Sequence, residues 1–483
     1  MNWPRLAAFA VPATVYIASA SWEPASWDTA ELQGVPYILG IAHPTGFPFY
    51  VLVGYVWSHA AAIGTVAFRM NAMSGIAIAI ASLAAYEVAR ALGAGRIVAL
   101  LATLWFAFTQ NVWSHAARAE AQDLATACSA VALYAFLRWM RSGDSRWFAG
   151  AFALCGLGMA AHPNALWLLP AFLLGAIIAA RRPSLRLAAA SVALTLAGLA
   201  LYLYLPLRSA YVVAHGLDPT AELAGAGGGI FWNYNDPRTL PGLALELSGA
   251  QFQTPSYFAA AFNPMRAGDA LWAFVTGIQS QYGTFATLLL FGGFMTAWRR
   301  DWRATLVLCA ACIAPLFFSV VYPNEGDVGR YRLLASWLAV PLLGALTPQS
   351  RSTQARLLHA ALILFLASGV ATAFLAQRGF LQHAPREGGR WVIDAVGATV
   401  PASSVVVTGW LDATSLAYGA YVDGSLPGLV IVSDNALRMP VYRQWARRNR
   451  VFVLADPHDV THLAGARYYM RLDSYHELFV VTP

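Results

Sequence analysis

Long apolar runs alternate with short arginine-bearing turns through the first 379 residues of the chain. A helix that crosses a bilayer needs about 20 apolar residues, with about 17 tolerated. Runs of this kind, several of them short, fall at 6–21, 70–89, 97–111, 124–137, 148–161, 165–180, 187–205, 284–297, 304–321, 333–346 and 357–376. The pattern predicts about 11 helical spans. One further run, 47–63, is interrupted by Pro48, Gly54 and His59. If it is an interfacial helix, the arginine clusters all fall on one side. These are Arg5; Arg90 and Arg96; Arg138, Arg141 and Arg146; Arg181, Arg182 and Arg186; Arg299, Arg300 and Arg303; Arg351 and Arg356. Counting 47–63 as a span would turn every later cluster outward, so the positive-inside bias decides the parity.

From about residue 380 the pattern changes. Short apolar runs at 405–407, 429–432, 451–454 and 478–481 read as buried strands, with helical stretches near 413–421 and 442–448. This predicts a small α/β domain with a largely parallel sheet, placed outside the membrane by the same parity. It carries no Gly-rich phosphate loop. The chain thus divides into a transmembrane domain, 1–379, with a first outer loop at 22–69 and a long outer loop at 206–283, and an extracytoplasmic domain at 380–483. The expected fold class is a membrane all-α polytopic bundle with a small C-terminal α/β domain.

Composition agrees. Hydrophobic residues make up 58% of the 483 and charged residues 11%, against about a quarter charged in soluble domains. A β-barrel would show short alternating segments instead. The formal charge of +7 comes largely from the arginine clusters, so it reports topology and not nucleic-acid binding. Cys128, Cys155, Cys309 and Cys312 lie inside apolar runs, which implies neither a disulfide framework nor a zinc site. The 6–21 run is followed by Trp22, Glu23 and Pro24, not by a small-residue cleavage site, and reads as uncleaved.

The remaining polar residues gather on the predicted outer side. Asp28 and Glu31 are three apart and share a face of a helical turn. At a lipid surface one such carboxylate can deprotonate a hydroxyl while the other orients it; the alternative is a pair of solvated loop charges. His43 is the polar point of a rigid turn, Gly40 to Pro48, and could bind a phosphate oxygen or the base. Glu120 stands at the start of a span, where a carboxylate should face the bundle interior or a cleft; His115 and Asp123 accompany it. Arg69 and Asn71, Arg118, His162 with Asn164, Asn233, Asn235 and Asp236, and the pair Glu325 and Asp327 complete the outer set. Arg208, Arg330 and Arg332 could hold phosphate through bidentate contacts or snorkel at the interface. No His pair has the spacing of a helical metal site, so no metal is expected.

Assembled in order, these residues resemble the DUF2723 family of polytopic membrane proteins, within the GT-C superfamily of glycosyltransferases, which includes an animal O-mannosyltransferase of receptor ectodomains. The resemblance rests on Asp28-Thr29-Ala30-Glu31 with Gly40-Ile41-Ala42-His43-Pro44-Thr45-Gly46; on Arg69-Met70-Asn71; on Trp113-Ser114-His115-Ala116 through Glu120; and on Gly158 to His162. Tyr204-Leu205-Pro206-Leu207-Arg208 and Asn235-Asp236-Pro237-Arg238-Thr239-Leu240 continue it. Two departures are Thr29-Ala30 in place of a small Ser-Gly, and Asn235 in place of Gly. The resemblance covers roughly the first half of the chain. It implies an inverting transferase that moves a sugar, mannose-like, from a polyprenyl-phosphate donor to a hydroxyl of a protein or glycan acceptor. Asp28 would be the base, with Glu31 and Glu120 orienting substrate. His43, Arg208, Arg330 and Arg332 would serve the lipid phosphate, and no cofactor is implied. The expected setting is a bacterial cytoplasmic membrane, with membrane lipid as solvent and partner. The competing classes are a transporter or flippase for a lipid-linked sugar, which should show polar residues through the membrane midplane, and a non-catalytic assembly protein.

Overall fold

A computed structural model describes residues 3–226, 229–250, 262–316, 328–382, 388–456 and 466–483. Glu325, Asp327, the end of the 304–321 run and parts of the 206–283 loop lie outside the described residues. The chain forms two compact units. The first contains 1–20, 74–201 and 253–385; the second contains 21–73, 202–252 and 386–483. Segments that read in the sequence as loops of the membrane domain therefore fold with the C-terminal residues, and the boundary does not fall at a single point near 379.

Helices build the first unit. Among the described residues three helices are long and apolar enough to cross a membrane: Val66–Ala91, Leu185–Ala214 and Thr353–Gln377. A fourth is added if Arg96–Phe108 and Gln110–Ala116, bent by 69° at Thr109, form one broken span. Most other apolar runs are helical as well, and several of those helices are short or kinked. Pro264–Ile313, for example, breaks at Gly283 and Asp301. Leu357, Leu358, Leu364 and Leu375 of Thr353–Gln377 are exposed, as suits a lipid-facing helix. Close approach depends on small residues. A Cβ at Gly198 would lie 2.5 Å from the Gly156 carbonyl carbon, so helices Ser145–Ala161 and Leu185–Leu199 touch backbone to backbone. Phe136 stacks on Phe172 at 4.4 Å, and Trp113 is fully buried with its indole N–H donating to Ser19 Oγ at 2.9 Å.

The second unit is built around a five-stranded sheet: β1 (Ser404–Thr408), β2 (Val430–Ser433), β3 (Arg450–Ala455), β4 (Ala466–Arg471) and β5 (Glu477–Val481), in the order β2-β1-β3-β5-β4. The β1/β2 and β1/β3 pairs are parallel; β3/β5 and β5/β4 are antiparallel. The expected largely parallel sheet is thus a mixed one. Strand β4 carried no buried-strand signal because five of its six side chains are exposed. Val405, Val407, Val432, Val451 and Val453 form the apolar layer under helix Met439–Ala446.

In the same unit, helix Pro48–Ala60 occupies the interrupted 47–63 run. Thirteen residues span about 20 Å, well short of a bilayer core of about 30 Å. The turn before it packs against the 229–236 segment. Ile41 N–H donates to the Phe231 carbonyl at 3.0 Å, and a Cβ at Gly40 would sit 1.7 Å from that same oxygen. Asn235 has φ 57°, the left-handed region that Gly and Asn adopt most easily, which accounts for Asn where the resembled family has Gly.

Gly40→Ala should therefore lower stability by at least about 2 kcal/mol, since the obstructing atom is backbone and cannot rotate away. Gly150→Ala, on an open helical position with nothing within 4 Å, should leave stability unchanged or raise it by up to about 1 kcal/mol. Thermal unfolding of both purified variants in detergent checks the contrast.

Candidate functional site

The Trp27–Gly34 helix brings Asp28 and Glu31 to one face, but into unlike surroundings. Glu31 has no exposed surface, whereas the Asp28 side chain is 23% exposed. Glu31 Oε1 accepts the His43 backbone N–H at 2.8 Å, and Glu31 Oε2 faces His43 Nδ1 in a close pair. A carboxylate against Nδ1 puts the imidazole proton there and turns Nε2 toward other partners. That nitrogen lies 3.9 Å from Asp28 Oδ2. The result is a chain of Glu31, His43 and Asp28, running from buried to open. Burial pushes the Glu31 carboxyl above its ordinary range, against the opposing pull of His43.

The turn that carries His43 is held from several directions. Arg208 Nε donates to the Leu39 carbonyl at 2.6 Å, and its Nη2 donates to the Ile38 carbonyl at 3.0 Å. Tyr204 OH donates to the Leu39 and Gly40 carbonyls. Arg69 donates to the Ser58 and Gly64 carbonyls, and Asn71 bridges Gln33 Nε2 and the Ser21 carbonyl. Asp236 Oδ1 accepts from Ser209 Oγ at 2.9 Å and from Arg238 Nε at 2.9 Å. These side chains fix the backbone around Asp28, Glu31 and His43.

Two residues of this unit were not singled out in the sequence. Glu246, on helix Leu240–Ser248, is fully buried. Its Oε2 accepts Asn235 Nδ2 at 2.9 Å, while its Oε1 has no hydrogen-bond partner among the described residues and lies beside Gly46. Burial raises its pKa to about 8, so it is a neutral acid near pH 7. The signal was present: it is the one carboxylate in an otherwise apolar helix. The other is Trp410, whose indole N–H donates to Asp28 Oδ1 at 2.8 Å. No local pattern connects residues 382 positions apart.

In the first unit, Glu120 precedes helix Ala121–Ser142 and is buried at 2% exposure. Arg118 Nε lies 3.4 Å from its Oε1 and Arg330 Nη1 lies 3.3 Å from its Oε2. Arg118 Nη2 also meets His115 Nδ1 at 3.1 Å. Asp123 is fully buried with both carboxyl oxygens unpartnered among the described residues, and Arg332 Nε is likewise unpartnered. His162 Nδ1 accepts the Asn164 backbone N–H at 3.1 Å, and its ring lies 5.7 Å from that of Tyr331. The candidates thus group by unit. Asp28, Glu31, His43, Arg69, Asn71, Arg208 and Asp236 belong to the second, and His115, Glu120, Asp123, His162, Arg330 and Arg332 to the first. Among the described residues no three His, Cys, Asp or Glu side chains converge in a way that could hold a metal ion.

Glu246 gives a pH test. Folded, it keeps its proton to about pH 8; unfolded, it releases it near 4.5. Between those values the unfolded state binds fewer protons, so this group's contribution makes stability fall as pH rises from about 4.5 to about 8 and leaves it level above. Glu246→Gln removes that slope. The melting temperature of the wild type relative to the variant should decline across this interval; parallel courses would contradict a buried neutral acid.

Residues 28–185 match the family described as the protein O-mannosyl-transferase TMEM260 N-terminal domain. Over 120 residues the chain is 32% identical to the mouse protein O-mannosyl-transferase TMEM260, a stretch that covers 25% of this chain and 17% of the mouse protein. ArnT from Cupriavidus metallidurans in the apo state superposes over 99% of this chain and 98% of its own, with TM-score 0.56 and 12% identity. The oligosaccharyltransferase AglB from Archaeoglobus fulgidus, in complex with an inhibitory peptide and a dolichol-phosphate, superposes over 98% of this chain and 74% of its own, with TM-score 0.56 and 12% identity. The chain therefore shares the fold of ArnT and AglB and is similar through residues 28–185 to the N-terminal domain of TMEM260.

Proposed function

We propose that this chain is an inverting glycosyltransferase that moves a sugar from a polyprenyl-phosphate donor to a hydroxyl of a protein or glycan acceptor. The observation that carries the reading is the Glu31–His43–Asp28 chain. Its open end presents a carboxylate, and its buried end fixes the imidazole that faces that carboxylate. The acceptor oxygen attacks the anomeric carbon as the bond from that carbon to the phosphate oxygen breaks. The polyprenyl phosphate leaves with the bonding electrons, and the hydroxyl proton passes to Asp28. A phosphate is a competent leaving group, so base assistance at the acceptor is the larger need. His43 Nε2, on the far side of Asp28 Oδ2, then stabilises or takes up that proton.

Arg330 is, by the family resemblance, a candidate ligand of the donor phosphate, since a guanidinium can make charge-assisted bidentate contacts to it. Arg208 and Arg69 serve instead to shape the backbone, since their donors are directed at carbonyl oxygens. A mannose-like sugar is favoured by the similarity to the mouse O-mannosyl-transferase. A lipid-linked donor is favoured by fold neighbours described with undecaprenyl phosphate and with dolichol-phosphate. In this reading Asp28 works on the extracytoplasmic side of a bacterial cytoplasmic membrane, and the arginine parity supports that side.

Asp28→Asn keeps the shape of the side chain and removes the base. It should cut kcat by about 10²–10⁴-fold while donor binding persists. Arg330→Ala should instead weaken donor binding, having lost a charge-assisted contact. Sugar transfer and donor binding measured side by side separate the two effects. An Asp28→Asn protein that transfers sugar at the wild-type rate would overturn the assignment.

A further inference from the structure

The C-terminal α/β domain supplies a group to the first-loop carboxylate. Trp410 opens helix Trp410–Tyr421 directly after β1, the strand that lies between β2 and β3. From β1 the chain runs to β2 on one side and then returns to β3 on the other, so Trp410 stands at the carboxyl end of the strand where the sheet order reverses. Open α/β sheets place ligands at that position. Here it holds Asp28, whose Oδ1 accepts the Trp410 indole N–H at 2.8 Å. The indole ring also meets the His43 ring edge to face at 5.9 Å and the Tyr234 ring at 5.8 Å.

The placement is built, not incidental. Asn435 Oδ1 accepts the Trp410 backbone N–H at 3.0 Å. Farther along the helix, Ser415 Oγ donates to the Ala25 carbonyl at 2.9 Å, and Tyr418 OH accepts the Ala67 backbone N–H at 2.9 Å. Gly389, on the preceding helix Gly389–Thr399, is so close to the 24–25 backbone that a Cβ would lie 2.0 Å from the Ala25 carbonyl oxygen. Three of these contacts, at Ser415, Tyr418 and Gly389, fix the C-terminal segment against residues of the 21–73 segment that carries Asp28, all within one compact unit.

We infer that Trp410 is the positioning residue of Asp28: its N–H holds Oδ1 and so fixes the orientation of the carboxylate beside His43. The inference rests on the reading of Asp28 as the base and extends it by assigning the C-terminal domain a part in the transfer site. A donor on a carboxylate also favours its charged form, so Trp410 keeps Asp28 ready as a base to lower pH than it would otherwise be.

The test is the pH profile of sugar transfer for Trp410→Phe, which keeps a ring and removes only the N–H. At neutral pH kcat should fall about tenfold, because the carboxylate is no longer held in register with the acceptor. The acid limb of kcat/KM should move upward by about one pH unit, the scale of one hydrogen bond to a charged group. A loss that is equal at every pH, with the limb unmoved, would mean a structural role only and would overturn the inference, as would an unchanged profile. Asn435→Ala, an exposed position that anchors the Trp410 backbone, should shift the limb in the same direction by less and carries the test if Trp410→Phe does not fold. Asp28→Asn is assayed in parallel. If it is inactive while Trp410→Phe matches the wild type, this inference alone falls; if it transfers at the wild-type rate, the base assignment falls and takes this inference with it.

Discussion

A carboxylate with no exposed surface has to be satisfied from inside the fold, and Glu31 is satisfied by both the backbone N–H and the ring of His43. Much of the second unit follows from that pairing. Residues 12 apart must meet, so the intervening chain has to turn sharply, and Gly40 lies where a Cβ would strike the Phe231 carbonyl. The left-handed backbone at Leu39 exposes carbonyls that Arg208 and Tyr204 cap. The same pairing directs His43 Nε2 toward Asp28. A buried carboxylate–imidazole pair of this kind contributes little net stability once desolvation is counted; what it fixes is the orientation of a ring beside a half-open carboxylate.

Three carboxyl groups of one unit thus occupy graded surroundings. Glu246 is buried with one hydrogen bond and stays neutral to about pH 8. Glu31 is buried but faces a histidine. Asp28 is partly open and accepts an indole N–H. Carboxyls held in unlike environments can take unlike roles at a single pH, and this arrangement leaves Asp28 as the one that can meet a substrate. The acidic residues of the first unit are placed otherwise, with Glu120 held between two arginines.

The parts of this account legible in the sequence are those with local signals. Asp28 and Glu31 share a helical face because their spacing is three, and His43 stood out as the polar point of a Gly- and Pro-rich turn. Strands β1, β2, β3 and β5 announced themselves as short apolar runs. Strand β4 did not, because an edge strand with exposed side chains lacks a buried pattern. The arginines were harder. Arg208 looked like a phosphate ligand, yet two of its donors close a turn through carbonyl oxygens, a use with no sequence signature that Arg69 shares. Trp410 was illegible for the same reason at longer range: its partner is set by how the C-terminal segment docks, which no periodicity encodes. The mixed sheet likewise depends on the path between β3 and β5, not on the composition of either strand.

The central claim is that the Glu31–His43–Asp28 chain breaks a sugar–phosphate bond in favour of an acceptor hydroxyl. The most direct measurement places purified protein in liposomes with a polyprenyl-phosphate sugar labelled in the sugar, then follows the label. The account predicts that label leaves the lipid, appears on an added hydroxyl acceptor, and is matched by release of free polyprenyl phosphate. Label that crosses the bilayer with its lipid linkage intact, with no free polyprenyl phosphate formed, would contradict it and identify a carrier of the lipid-linked sugar instead.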